Sequence, residues 1–490
     1  MSESLALAVF RDIFKLSTPY GEQLEHFRSV WGRAEAGEAP ATVLKMPTGY
    51  GKTEALISPY LAQVVSRNWT LAPRLIYTLP TQALCNQMLE RILCYVDRVN
   101  EQFGSQLKCD VQHGGRSADP YLMSDIVVTT FDQLLYGYAR CMKHMGDRPD
   151  IPAGSISLSY VVLDEAHMYS PYTQALIRAL FEIFSASAIP VALATATMPQ
   201  GLLKQMIERI PQAVLIQFKG TNPLGRTIHL SVVDGPLLRE GQLGEWALEA
   251  LKEADNALVV CNTVDAARTV YKQLEKRLPD VHLIHSRFKP SDKRVLEQNV
   301  VSVLGKQGTR RGVVVSTQVC EAGLDISADT MLTECAPADS LVQRSGRCAR
   351  WKGMEGKLFV AKPASFAPYE PSYVKATWDF LTQHQSLDLA NWQETITFLD
   401  ILPYSVDEIA ASEALNELYE ATLYAESRPE DLSAREEAFV TVALSDPPRS
   451  EESVNVPFAI AEGNPLFAKG ALETDSRGIF LLWDFSRNRR

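Results

Sequence analysis

The sequence predicts an α/β fold: two tandem parallel-sheet domains followed by a smaller, mainly helical, acidic C-terminal domain. Three observations predict it. In the first 220 residues, short apolar runs alternate with longer helical stretches: ATVLKM (41–46), RLIYTLP (74–80), DIVVTT (125–130), YVVLDE (160–165) and VALATAT (191–197). A second series follows: NALVVCN (256–262), HLIHS (282–286), GVVVST (312–317), DTMLTEC (329–335) and KLFVAKP (357–363). These runs are apolar nearly throughout, as strands buried on both faces of a parallel sheet must be. After Pro363 the pattern changes to acidic helical segments such as VDEIAASEALNELYEATLYAE (406–426) and then a Pro/Ser-rich segment at 445–457.

The boundaries follow from composition. FKGTNPLGRT (218–227), rich in Gly, Pro and Asn, reads as a linker. The expected domains are therefore 1–220, 221–365 and 366–490, in keeping with 490 residues at the usual domain size. The net charge is −11, but it is unevenly placed. Residues 366–490 hold 22 acidic and 9 basic side chains, which leaves 37 acidic against 39 basic in 1–365. A near-neutral body still permits a basic groove for a polyanion, and the acidic tail is either a solvated face or a docking surface.

No apolar run reaches the ~20 residues of a membrane-spanning helix, and the longest, near Ile189–Met198, reads as a buried strand. The N-terminus, MSESLALAVFRDIF, lacks the basic start and small-residue cleavage site of a secretory signal. None of the eight cysteines forms a CxxC pair, which argues against zinc and for reduced thiols in a cytoplasmic protein.

The first chemical element is TVLKMPTGYGKTEAL (42–56): a strand, a Gly-rich turn and a helix start. A phosphate loop needs backbone N–H groups turned toward an anion at a helix N-terminus. Within Pro47, Thr48, Gly49, Tyr50 and Gly51, the glycines allow that curl, although Met46 stands where the first glycine usually is. Lys52 would reach the β- and γ-phosphates of ATP, and the Thr53 hydroxyl would bind Mg²⁺. The second element is VVLDEAH (161–167), an apolar strand ending in two carboxylates. Asp164 would face the metal, Glu165 would orient or deprotonate the attacking water, and His167 would hydrogen-bond to the Thr195–Thr197 segment. The third is QRSGRCAR (343–350), in which Arg347 and Arg350, three apart, fall on one face of a helix. They are candidate arginine fingers, with Gln343 beside them.

This ordered set resembles a superfamily 2 DExH helicase with a DEAH-spelled box, over roughly residues 15–362. Within that superfamily the chain is similar to the CRISPR-associated helicase of type I systems. The stretches that carry the likeness are LPTQALCNQ (79–87), VVTTFDQLL (127–135), DEAHMYSPY (164–172), VVCNTVDAA (259–267), LIHSRFKPSDKRVLE (283–297) and VVVSTQVCEAGLDISAD (313–329).

The resemblance implies two RecA-like domains and ATP- and Mg²⁺-dependent 3′→5′ movement on single-stranded DNA. It also implies recruitment by an RNA-guided surveillance complex in antiviral interference. By matching position, Pro80, Thr81, Gln82, Thr129 and Thr130 would contact the strand from the first domain. Asn262, Thr263, Ser286, Arg287, Thr317 and Gln318 would do so from the second. Hydroxyls and amides suit phosphate oxygens without reading bases. Gln23 matches the adenine-reading glutamine, and Asp325 the ribose or the closing ATP site. The family's nuclease uses an adjacent His-Asp pair, and none of the eight histidines here is followed by Asp. The expectation is a helicase-only form served by a separate HD-type nuclease subunit. A general DExH RNA helicase and a non-hydrolysing ATP-bound module are the rival readings.

Overall fold

The computed structural model describes residues 2–424 apart from 115, 143–147, 223, 309–310 and 322. It also describes residue 434 and four strands within 439–482. The chain forms two compact units: Met1–Gly220 with Tyr404–Glu436, and Thr221–Pro403 with Glu437–Arg490.

The first unit is built on eight strands: β1 (Ala41–Lys45), β2 (Arg74–Leu79), β3 (Cys109–His113), β4 (Arg116–Ser117), β5 (Ile126–Thr130), β6 (Ser159–Leu163), β7 (Val191–Thr195) and β8 (Val214–Gln217). Their order is β4-β3-β5-β2-β6-β7-β1-β8. All neighbours are parallel except β3 and β4. Every residue of β1, β5, β6 and β7 is buried, which is why their sequences are continuously apolar. β3, β4 and β8 are not among the apolar runs of the sequence, for the converse reason. They lie at or beside the sheet edges, and β8 is only partly buried. Because β6, β7 and β1 are adjacent and parallel, the residues that follow them emerge side by side at the carboxyl end of the sheet. Ligands of open α/β sheets bind there.

The second unit holds β9 (Thr227–Val233), the β10 (Leu238–Arg239) and β11 (Gln242–Leu243) hairpin, β12 (Asn256–Val260), β13 (Val281–Ile284), β14 (Gly312–Ser316), β15 (Thr330–Glu334) and β16 (Glu355–Ala361). The main sheet, β13-β14-β12-β15-β16-β9, is parallel throughout. Just before β9, Asn222 closes a turn by donating to the Arg226 carbonyl at 2.8 Å.

The C-terminal residues are less uniformly helical than the sequence suggests. Helices run over Pro371–Gln383, Trp392–Leu399 and Glu408–Tyr424. Beyond them, β17 (Phe439–Ala443), β18 (Ser453–Pro457), β19 (Leu472–Asp475) and β20 (Gly478–Leu482) form a separate sheet in the order β18-β17-β20-β19. Most of the Pro/Ser-rich 445–457 segment lies outside the described residues.

The Glu408–Tyr424 helix, expected in a third domain, packs in the first unit against the Pro171–Ala186 helix. Its Ala410, Ala411, Ala414 and Leu418 enter that unit's core. This stripe recurs at helical spacing and needs an apolar partner face. Arg178 anchors the helix start with two bonds to the Glu408 carboxylate, at 2.5 and 2.7 Å. Among the described residues, no helix is long and apolar enough to cross a membrane.

Leu418→Ala removes a fully buried side chain from this helix pair. The expected loss is about 2–4 kcal/mol of local stability, a typical cost of truncating buried leucine. It is read by faster amide hydrogen exchange over 171–186 and 408–424, and unchanged protection there would contradict the docking.

Candidate functional site

In the first unit, the turn between β1 and the Lys52–Ser66 helix curls as the sequence requires. Gly49 and Gly51 take φ of +81° and +76°, where a side chain is strained. Gly51 has a second reason to lack a side chain, since a Cβ there would overlap the Gln23 amide nitrogen. Gln23 is fully buried. Its Nε2 donates to the Gly51 carbonyl at 3.0 Å, and its Oε1 accepts from the Tyr20 N–H at 2.8 Å. The glutamine thus braces the loop. Tyr20 stacks on Tyr50 at 3.7 Å, and Tyr50 meets Phe218 edge-on at 4.6 Å. Met46 is buried at the end of β1 and fills core volume where a glycine would leave a gap.

Lys52, only 7% exposed, pairs with Glu165 at 3.3 Å. Glu165 sits just past β6 with φ of +54°, a left-handed residue that turns the chain sharply. This turn separates the two carboxylates. Asp164 points into the protein and accepts from the Tyr77 hydroxyl at 2.5 Å and from the Glu165 N–H at 2.7 Å. Glu165 stays a quarter exposed. Burial, then the neighbouring Glu165 charge, raises the Asp164 carboxyl above the ordinary carboxylate range, while Lys52 and the Tyr77 bond oppose the rise.

His167 bridges β6 and β7 as expected. Its Nδ1 lies 3.1 Å from the Thr195 hydroxyl and 3.4 Å from the Ala196 N–H. An N–H aimed at Nδ1 makes that atom an acceptor. The assigned tautomer therefore carries its proton on Nε2, which lies 3.6 Å from Glu165. Burial lowers the imidazole to about 4, so the ring is neutral at pH 7.

Four neighbours were not anticipated. Tyr77 is fully buried, and a phenol inside an aliphatic strand demands a partner. That signal was present in RLIYTLP. Glu54 is buried beside Thr53 and is met by Arg91 and Tyr95 from the Gln82–Phe103 helix. Nothing local in the sequence reveals that contact.

Thr53 and Asp164 are 6% and 2% exposed and offer a hydroxyl and a carboxylate oxygen. These are hard oxygen donors, and Mg²⁺ ordinarily takes one or two of them together with phosphates and waters. The donor set fits Mg²⁺. Among the described residues, no group of three or more His, Cys, Asp or Glu side chains is placed to hold a metal.

Of the candidate strand contacts in this unit, Thr81 and Gln82 are exposed and Pro80 partly so. Thr129 and Thr130 are buried, and the Thr129 hydroxyl donates to the Gln112 carbonyl at 2.8 Å.

In the second unit, Ser286 and Arg287 are exposed, whereas Asn262 and Thr317 are buried. Asn262 donates to the Cys335 carbonyl, and its own carbonyl accepts from Gln318, both at 2.8 Å. Thr263 caps its helix by accepting from Ala266 N–H at 3.2 Å.

The expectation that Arg347 and Arg350 share a helix face is corrected. The Ala338–Ser345 helix ends before them. The Ala328 N–H donates to the Arg347 carbonyl and the Ala328 carbonyl accepts from the Ala349 N–H, which pulls this segment out of helical register. Arg347 donates to the Cys320 and Glu321 carbonyls, each at 2.8 Å. Arg350 pairs with Asp325 at 2.7 Å, and Gln343 is half-buried on the preceding helix. Arg344, which the sequence reading passed over, is fully buried and bonds Glu321, Thr333 and Tyr369.

The chain is similar to known helicases over most of its length. Residues 28–205 match the DEAD/DEAH box helicase family, and residues 253–353 match the C-terminal part of the CRISPR-associated nuclease/helicase Cas3. The CRISPR-associated helicase Cas3 of Thermoproteus tenax is 29% identical over 427 residues, covering 82% of this chain and 72% of that protein. The CRISPR-associated endonuclease/helicase Cas3 of Escherichia coli is 30% identical over 367 residues, covering 63% of this chain but only 40% of its own length. The crystal structure of T. fusca Cas3 with ADP superposes with a TM-score of 0.72 at 19% identity, covering 97% of this chain and 68% of that one. A surveillance-complex structure in a pre-nicking state gives 0.60 at 20% identity, covering 95% and 67%.

The Asp164 environment is testable in the nucleotide-free protein. Tyr77→Phe deletes a bond that favours the charged carboxylate, so the Asp164 titration should move further up. Carboxyl infrared bands of the wild type and variant check this. An unshifted or lowered titration would contradict the assigned hydrogen bond.

Proposed function

The chain belongs to the CRISPR-associated, Cas3-like helicases of superfamily 2, and on that premise we propose that it is an ATP-driven translocase on single-stranded DNA. The observation that carries this reading is the convergence of Lys52, Thr53, Asp164 and Glu165 at the carboxyl end of one parallel sheet, with Lys52 and Glu165 3.3 Å apart. The loop N–H groups and Lys52 receive the phosphates of ATP. Thr53 and Asp164 hold Mg²⁺, which when bound neutralises phosphate charge. An entering γ-phosphate competes with Glu165 for Lys52. This frees the Glu165 carboxylate to take a proton from, or orient, the attacking water. The neutral His167, with Nε2 toward Glu165 and Nδ1 on the Thr195 segment, holds that carboxylate in place and ties its position to β7.

Arg347 and Arg350 are proposed arginine fingers, and Asp325, the ion-pair partner of Arg350, belongs to the same apparatus. Gln23 acts first on the loop through Gly51, and adenine reading is an additional role for it. Strand contact is assigned to Pro80, Thr81, Gln82, Thr129, Thr130, Asn262, Thr263, Ser286, Arg287, Thr317 and Gln318. The exposed members, Thr81, Gln82, Ser286 and Arg287, are ready to meet phosphate oxygens. The buried ones act by shaping the loops that carry them.

The family's role implies 3′→5′ movement and recruitment by an RNA-guided surveillance complex in antiviral defence. The nuclease step is proposed to belong to a separate HD-type subunit. His26, His113 and His167 are each already engaged within the first unit, and His144 lies outside the described residues. Mixing the chain with a candidate HD nuclease should give association and ATP-dependent degradation of single-stranded DNA. Finding neither association nor degradation would rule that partner out.

Steady-state ATP hydrolysis tests the central reading. Single-stranded DNA should stimulate it, and RNA alone should not. RNA-only stimulation would favour a DExH RNA helicase. Lys52→Ala should abolish turnover and weaken nucleotide binding, whereas Glu165→Gln should stop hydrolysis and keep binding. Arg347→Ala should bind nucleotide and lose about 10³-fold or more in rate, the scale of a lost arginine finger.

A further inference from the structure

Helix Gln82–Phe103 begins at Thr81, whose hydroxyl caps it by accepting from the Leu84 N–H at 3.3 Å. Thr81 and Gln82 are exposed at this end. Nine residues on, about 13 Å along the axis, the same helix presents Arg91 to the phosphate helix. The guanidinium makes three different contacts there. Its Nη1 donates to the Thr53 hydroxyl at 3.3 Å, its Nη2 to the Glu54 carboxylate, and its Nε to the Tyr95 hydroxyl at 3.0 Å. Tyr95 in turn donates to Glu54 at 2.5 Å.

The burial of the partners is unequal. Glu54 is 6% exposed and Arg91 46% exposed. A buried carboxylate needs its cation, so Arg91 is bound to remain with Glu54. The bond to Thr53 is the longest of the three and the weakest. It also competes with the job assigned to Thr53, because a guanidinium N–H and a metal ion both seek the lone pairs of one hydroxyl oxygen, and two cations repel. The Thr53 bond is thus the one that yields when nucleotide and metal arrive. A shift of the helix carrying Arg91 changes how easily it yields.

We propose that Arg91 is a positioning residue that couples single-strand engagement at the Thr81–Gln82 end of its helix to the setting of Thr53 at the phosphate site. The proposal rests on the strand-contact reading of Thr81 and Gln82. A guanidinium is required because its planar fork reaches three acceptors at once, whereas a lysine ammonium on a flexible stem does not reproduce that geometry.

The test uses the full chain and a fluorescent ADP with Mg²⁺, titrated with and without saturating oligo-dT. The measured quantity is the ratio of the two affinities, which a merely structural staple would leave alone. Wild type should give a ratio of about five or more, within the usual range of coupling between sites. Arg91→Gln should bring the ratio to within about twofold of one, whatever it does to either affinity alone. Arg91→Lys, which keeps the charge beside Glu54, should lose the coupling as well and serves if the glutamine variant does not fold. A wild-type ratio in a folded Arg91→Gln or Arg91→Lys protein would overturn the proposal. A wild-type protein whose nucleotide affinity ignores oligo-dT would overturn the strand-contact reading and the coupling with it.

Discussion

The first unit depends on placing a cation, Lys52, at the start of the helix that follows a fully buried strand, where water hardly reaches it. At 7% exposure an ammonium needs an anion, and in this structure the partner is Glu165 at 3.3 Å. Everything around the loop serves that pairing. The left-handed turns at Gly49, Gly51 and Glu165 bring the two ends together. Gln23 holds the loop from below through Gly51. The parallel order β6-β7-β1 sets the two segments side by side. A phosphate in place of the carboxylate would satisfy the same demand of Lys52, so the proposed nucleotide site would exchange one anion for another.

That exchange requires the two acidic residues to behave differently although they are adjacent in sequence. The turn at Glu165 does this. It buries Asp164 under Tyr77 and leaves Glu165 at the surface of the pocket. Burial makes Asp164 a reluctant anion, and the Mg²⁺ proposed to sit there would remove that reluctance. Glu165 keeps a polar surrounding and a quarter of its side chain exposed, as its proposed role toward water would need once Lys52 turns to a phosphate. His167 stays neutral because burial disfavours its charge, so it stands 3.6 Å from Glu165 without acting as a second cation against Lys52.

Much of this was legible in the sequence, and the reason is burial. Ten strands could be read, eight of them because a strand covered on both faces has almost no room for polar residues, while β13 and β16 are only partly buried. The strands that escaped, such as β8 and β9, are edge strands with mixed exposure. Glycine positions were legible because positive φ is a local requirement. The docking of the Glu408–Tyr424 helix was not, because an apolar stripe says that a partner exists without saying which one. Nor was the run after Ser345, where bonds to Ala328 end the helix that a three-residue spacing suggests. Contacts between Arg91 and Glu54 span 37 residues and leave no periodic trace.

Both units hold the same trio next to residues proposed for their chemistry: an arginine, a glutamate and a tyrosine. In the first, Arg91 holds Glu54 and meets Tyr95. In the second, Arg344 holds Glu321 at 2.8 Å and meets Tyr369 at 2.9 Å. Their burial separates their roles. Arg344 is fully enclosed and also bonds Thr333, so removing either charge strands the other in a dry interior, at about 3–5 kcal/mol. Such a group fixes a scaffold. It locks Glu321, whose carbonyl receives Arg347, and so sets where that candidate finger stands. Arg91 has solvent on one side and one long bond to Thr53. A half-exposed guanidinium exchanges a weak protein bond for water at little cost. The trio that is sealed can only hold, whereas the trio that is open can move.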